Sequence, residues 1–280
     1  MWRLLLLAAL GGCALVVDLD GLQSGGSPDA STDAGDAGIA IDAGDASSDA
    51  SIDVGTYRDE VNLDTPSSWW RLGETSALQI AKDENNFAPG QYSDAGVTFG
   101  VQGALANDGN TAITLDGNTG AVIMPGADYV LDGLPAFTIE IWVSPAAAIA
   151  ATQRLVSHRT SSNADGWVLY LDSMLPTFQE LASGTALANL TAGKALDAGK
   201  YTHVVVTGDG STLTMYIDGQ PSGNQVTQAS VPTTVAPGLV LGSSSGVAQE
   251  FFKGKLDEAA IYIKCLSAQR VLAHYLAATH

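Results

Sequence analysis

The chain has 280 residues, with 12 Lys and Arg against 30 Asp and Glu, and a formal net charge of -18. The first 55 residues hold nine of the aspartates; the rest is also acidic and shows no basic stripe, which argues against nucleic acid or an anionic membrane surface as partner. Abundant glycine and few charged residues (15%) suit a β-rich, turn-rich fold.

In chain order, Met1-Trp2-Arg3 supplies a short positive start, and residues 4–10 form an apolar run too short to span a bilayer as a helix. The following Leu10-Gly11-Gly12-Cys13 resembles the lipobox of bacterial lipoprotein signal peptides. The resemblance implies a signal peptide over residues 1–12, cleavage before Cys13 and acylation of that cysteine. It further implies an extracytoplasmic lipoprotein of the cell envelope, at the outer membrane or cell surface, with Cys13 as its membrane contact. An ordinary secretory signal with a chance cysteine is the alternative. If Cys13 is acylated, Cys265 is left without an intrachain partner and reads as a buried thiol.

Residues 13–55 start mixed and from Ser24 on collapse to Asp, Ala, Gly and Ser, as in Asp33-Ala34-Gly35-Asp36-Ala37-Gly38. Such a segment has little to bury and its charges repel, so it is expected to be a disordered, extended tether. Its Asp-Gly spacing is too irregular for a calcium-binding nonapeptide array.

Residues 56–280 read as one folded domain of short strands divided by turns. Early strands are expected at 69–72, 97–99, 112–115 and 121–124. Residues 137–143 alternate cleanly, with Phe137, Ile139, Ile141 and Val143 on one face and Thr138, Glu140 and Trp142 on the other. Strands 167–171, 201–207 and 213–217 follow. The last two are joined by the hairpin signal Asp209-Gly210-Ser211, and Asp218-Gly219 marks a further tight turn. Strands 239–241 and 254–263 complete the set. One terminal helix, capped by Ser267 and carrying Val271, Leu272, Tyr275 and Leu276, is expected to pack on the sandwich edge.

The strand 254–263 holds an anomaly. Asp257 and Glu258 stand side by side in its middle, and neighbours on a strand point to opposite faces. Either one carboxylate faces the interior with a partner, or the sheet bends there.

Several local patterns occur in order: Trp69-Trp70-Arg71-Leu72-Gly73-Glu74, Leu115-Asp116-Gly117-Asn118, the strand from Phe137 to Val143, Tyr201-Thr202-His203-Val204, Leu213-Thr214-Met215-Tyr216-Ile217-Asp218-Gly219, and Gly254-Lys255-Leu256-Asp257-Glu258. Together they resemble the laminin-G-like, concanavalin A-like jelly-roll domains of secreted bacterial proteins, over residues 67–278. The resemblance implies an all-β, antiparallel two-sheet sandwich. It also implies a structural calcium at the rim, with Asp83, Asn86 and Asp257 as side-chain ligands. A turn in which Asp83 and Asn86 bond their own backbone is the competing reading.

Some relatives of this fold hydrolyse glycosides with carboxylates at alternate positions of one strand. No Glu here begins such a pattern, and Glu140 has only Thr138 and Trp142 as same-face neighbours. Gly242-Ser243-Ser244-Ser245-Gly246 matches a nucleophile elbow in letters, but no helix is expected after it. The four histidines lack zinc spacing. The expectation is therefore a non-enzymatic binding module for a glycan or a surface protein, with Glu140, Trp142, Tyr170, His203 and Tyr216 as candidate contacts. A structural envelope protein without a small ligand is the alternative, and a hydrolase with an unrecognised site comes last.

Overall fold

A computed structural model describes residues 55–78, 80–126, 134–147, 151–160, 164–229, 238–245 and 248–280. The signal segment, Cys13 and the tether lie outside the described residues. A short helix the sequence reading missed comes first, α1 (Tyr57–Leu63). Thr56 and Asp59 form its capping box, each side chain bonding the other's backbone N–H.

The strands that follow are β1 (Ser68–Trp70), β2 (Ile80–Ala81), β3 (Gly90–Tyr92), β4 (Val97–Gln102), β5 (Thr111–Asp116) and β6 (Val122–Met124). Next come β7 (Ala136–Pro145), β8 (Gln153–Arg159), β9 (Gly166–Asp172), β10 (Leu175–Ala182) and β11 (Thr185–Thr191). The chain continues through β12 (Thr202–Asp209), β13 (Thr212–Ile217), β14 (Gln220–Pro221), β15 (Val226–Thr227), β16 (Leu239–Leu241) and β17 (Lys253–Tyr262), and ends in α2 (Ala268–Thr279).

Two antiparallel sheets result, the architecture of a jelly-roll sandwich. One runs β14-β13-β12-β7-β17-β5-β4, with β1 added to β17 and β15 to β13; the other runs β11-β10-β9-β8-β16-β6-β3-β2. We call them the nine- and eight-stranded sheets. The β12–β13 hairpin turns where expected: Asp209 accepts the N–H groups of Ser211 and Thr212, and Gly210 takes φ +92. At the next turn Asp218 and Gly219 both have positive φ, as a two-residue primed turn demands.

The inner faces supply the main core. Phe137, Ile139, Ile141 and Val143 of β7 meet Trp167, Leu169 and Leu171 of β9, together with Val204, Val206, Leu239 and Leu241. The opposite faces differ. On the nine-stranded sheet, the outer-facing Trp142, Val205, Tyr216, Ala260 and Tyr262 form a second apolar layer with Tyr57 and Val61 of α1 and Val271 and Ala278 of α2. The terminal helix thus lies on a sheet face, not at the sandwich edge. Its buried residues are Val271, His274 and Ala278, one to two turns apart, while Leu272, Tyr275 and Leu276 are only half-buried.

Candidate functional site

The anomaly on β17 resolves as a bend. Asp257 pairs with Trp142, yet Ala260 pairs with Glu140, so three steps on β17 match two on β7. Glu258 is the extra residue of a β-bulge and takes φ +47. The bulge sits where β17 changes its other neighbour, from β5 (through Leu256) to β1 (from Ala259). Without it Glu258 would enter the core between the sheets. With it, the carboxylate turns to the side of the outer-layer residue Trp69.

Both carboxylates are fully buried. Glu258 accepts Arg71 Nε at 2.9 Å, Trp69 Nε1 at 2.8 Å and Asn110 Nδ2 at 3.0 Å. Asp257 accepts the Ala104 N–H at 2.7 Å. Arg71 also pairs with Asp108 at 2.7 Å. Burial pushes the Glu258 carboxyl up to about 7, against the pull of Arg71. Burial, then the neighbouring Glu258 charge, raises Asp257 well above the usual carboxylate range. The pair is a bonded structural knot with no opening for a substrate.

A second buried carboxylate, Glu140, lies under the two helices. It accepts the hydroxyls of Tyr57 at 3.0 Å and Tyr262 at 2.8 Å. His203 Nε2 stands 2.8 Å away and His274 Nδ1 3.0 Å away. His274 Nε2 in turn faces Asp64 Oδ2 at 3.1 Å, and Arg270 bonds Asp64 and Glu60. Burial alone would raise Glu140, but His274 and His203 outweigh it and hold the carboxyl well below its ordinary value. Burial likewise opposes the His274 imidazolium, yet Glu140 and Asp64 raise it to about 9. This charged relay pins α1 and α2 to the sheet.

Of the five candidate ligand contacts, Glu140, Trp142, His203 and Tyr216 do share one face, but all four are buried beneath the helices. His203 stacks on Trp142, ring centroids 4.7 Å apart. They cannot form a surface groove as expected, because α1 and α2 cover that face. Tyr170 stands apart on the outer face of the eight-stranded sheet, half-buried, with the Arg154 guanidinium 4.9 Å above its ring.

The three expected calcium ligands do not converge. Asp83 bridges to Trp70 on one edge of β1, and β17 pairs along the other, which puts the Asp83 and Asp257 backbones roughly 9 Å apart or more. The Asp83 carboxylate already accepts four backbone N–H groups, from Trp69 at 2.9 Å, Asn85 at 3.0 Å, Phe87 at 3.0 Å and Ala88 at 2.8 Å. Those hydrogens occupy the lone pairs a cation would need. Asn86 is exposed at φ +57. The residues fit a capped turn and do not fit calcium. Among the described residues no three His, Cys, Asp or Glu side chains gather as a metal site.

Cys265 also departs from expectation: it is half-buried, not fully buried. Ser243 and Ser244 are buried in a turn, and Gly246 lies outside the described residues. Sequence reasoning missed Arg71, Asn110, Tyr57, Tyr262 and His274 as partners of the buried carboxylates. Its available signal was β7, whose outer face carries Glu140 between Thr138 and Trp142 and needed a second layer above it.

One further carboxylate stands inside the sandwich. His158, Trp167 and Glu180 lie in register across β8, β9 and β10, all fully buried. Glu180 Oε2 accepts the Ala229 N–H at 2.8 Å, while its Oε1 and Trp167 Nε1 have no partner among the described residues. Burial pushes the Glu180 carboxyl up to about 7.

The model of the concanavalin A-like lectin/glucanases superfamily matches residues 116–272. No curated protein matches the chain. Among solved structures, it resembles the binding domain of botulinum neurotoxin DC in complex with rat synaptotagmin II, at 12% identity and TM-score 0.58 over 78% of this chain and 52% of that one. It resembles domain 4 of a GH43 extracellular arabinanase from Geobacillus stearothermophilus in complex with arabinotriose, at 18% identity and TM-score 0.55, covering 75% of this chain and 98% of that one. A Trypanosoma rangeli sialidase in complex with 2,3-difluorosialic acid matches at 15% identity and TM-score 0.54, over 79% of this chain and 37% of that one. The chain thus spans about half of the toxin structure and little more than a third of the sialidase. At such identities the likeness is one of fold.

Proposed function

Because the chain belongs to the concanavalin A-like lectin/glucanases superfamily, we propose that it is a non-catalytic binding module for a glycan or a protein of a cell surface. The observation that carries this reading is the contrast between its two outer sheet faces. Helices seal the central strands of one, with Glu140 beneath them. On the other, two registered rows remain: Arg154–Tyr170–Thr177–Thr191 and Val168–Gln179–Asn189. Tyr170 and Gln179 are half-buried and Asn189 exposed. An aromatic flanked by amides and hydroxyls suits a sugar or a polar protein surface.

The carboxylates whose proton affinity burial raises, Glu180, Asp257 and Glu258, are fully buried and hydrogen-bonded, which favours binding over hydrolysis. The toxin domain in complex with synaptotagmin and the arabinanase domain in complex with arabinotriose support a binding role on this fold.

The same reading places the module outside the cytoplasm, held to an envelope membrane by a lipid on Cys13 and spaced by the acidic tether. A thioether at Cys13 and a Cys13–Cys265 disulfide exclude each other, since the chain has no third cysteine. The anchored form therefore has no disulfide between the two. Fractionation of cells expressing Cys13→Ser should find the protein released from membranes. Membrane retention of the variant, or a Cys13–Cys265 disulfide in the mature protein by mass spectrometry, would refute the anchor. Glycan-array and surface-protein binding by that soluble form tests the module, with Tyr170→Ala and Gln179→Ala expected to weaken capture. Failure against every glycan and surface protein would refute the binding reading.

A further inference from the structure

The helices do not cover the whole outer face of the nine-stranded sheet. Before the bulge, β17 places Lys253 and Lys255 on that face, because Gly254 and Leu256 point inward. Lys255 pairs with Ser144 of β7 and Thr114 of β5, and Thr114 with Thr98 of β4. These form one transverse polar row, Ser144–Lys255–Thr114–Thr98. Tyr201 precedes Thr202, which pairs with Val143, so it borders the row beside Ser144. The Lys255 ammonium stands 5.6 Å over the Tyr201 ring, and the Tyr201 hydroxyl is tied to the Gln102 carbonyl at 2.9 Å.

Two observations bear on this strip. Among the described residues, its three lysines, Lys200, Lys253 and Lys255, make no ion pair, and neither do Arg159 and Lys194 elsewhere, whereas Arg58, Arg71, Lys82, Arg154, Lys264 and Arg270 are paired. Asp116, opposite Lys253, forms no ion pair with it; its carboxylate accepts the N–H groups of Asn118, Thr119 and Gly120. The hydroxyls of Thr98 and Thr114 likewise hold no bond to a described residue. In a chain of net charge -18, a half-buried lysine over an aromatic ring, with uncommitted hydroxyls in register, is a local reversal of sign.

We propose that this strip is a subsite for the carboxylate of an acidic saccharide, a uronic acid or a sugar of similar charge. Lys255 takes the carboxylate, Lys253 and Lys200 add field, Thr114 and Thr98 hydrogen-bond ring hydroxyls, and Tyr201 walls the site toward the bulge. The flat row of hydroxyls on a sheet favours a saccharide over an anionic bilayer, which a protruding basic loop would meet better. This inference rests on the glycan-binding reading and names its ligand class.

The test is calorimetric titration of the full-length Cys13→Ser protein with trigalacturonate, neutral arabinotriose and phosphatidylglycerol vesicles. Trigalacturonate should bind, more weakly as salt rises, and Lys255→Met should raise its Kd about tenfold or more. Lys255→Arg should retain binding, and Thr114→Val should weaken it. An unchanged melting temperature in Lys255→Met separates loss of contact from loss of fold. Equal affinity for arabinotriose, an unchanged Kd in Lys255→Met, or binding of vesicles alone would overturn the acidic-sugar assignment and leave the binding module standing. Binding of neither saccharide overturns the acidic-sugar assignment, and the glycan-array and surface-protein test then decides the binding reading separately.

Discussion

Replacing Glu180 by Gln probes a carboxylate buried inside the sandwich. Its folded-state value of about 7 lies above the ordinary 4.5 because burial strips its hydration, and a single N–H from Ala229 opposes that. The folded state therefore holds the proton more tightly than the unfolded chain. Stability is highest below pH 4.5, declines as pH rises toward 7, and stays reduced above. At about 1.4 kcal/mol for each tenfold difference in proton affinity, the buried charge costs about 3 kcal/mol at pH 8. Glutamine has the same shape, accepts the Ala229 bond and carries no charge. Glu180→Gln should thus be near neutral at pH 4.5 and stabilising by about 3 kcal/mol at pH 8, a gain of about 6 to 12 °C in Tm. Scanning calorimetry of both proteins at the two pH values measures this. Glu258 titrates in the same window but is present in both proteins and cancels. A Tm difference that is the same at both pH values would refute the argument, as would destabilisation at pH 8.

Two further outcomes follow from the other buried carboxyl groups. His274, raised to about 9 from 6.5, gives stability that is complete below pH 6.5 and fades as pH climbs through 9. His274→Gln should cost about 3 to 5 kcal/mol at neutral pH by stranding Glu140 and Asp64, and should flatten the Tm decline between pH 7.5 and 9.5. A wild-type slope in the variant would show that the decline has another origin. At the capped turn, Asp83→Ala should lower stability by about 2 to 4 kcal/mol, while chelators leave the wild-type Tm unchanged. A chelator-sensitive wild type whose sensitivity vanishes in Asp83→Ala would restore the metal.

Strands with long alternation were legible. On β7, β9, β12 and β13 the inward residues are those the two-residue period picks out, because a pleated strand turns alternate side chains to the core; on β17 the period breaks at the bulge. The strands β8, β10 and β11 were not legible. Their buried positions include Arg154, His158, Thr177 and Glu180, whose polarity masks the pattern. Helix α1 escaped notice because seven residues with two buried side chains carry no periodicity worth reading.

The candidate sites divide in the same way. That Glu140, Trp142, His203 and Tyr216 share a face, that Asp209 and Asp218 open turns, and that Asp257 beside Glu258 strains a regular strand all follow from local period and local chemistry. What lies against them follows from the packed fold. Two helices from opposite ends of the domain close over Glu140, four backbone N–H groups converge on Asp83, and an extra residue on β17 turns Glu258 out of the core toward Arg71, 187 residues away in sequence. Burial, and the partners that make it tolerable, depend on contacts between distant segments, which no local pattern encodes.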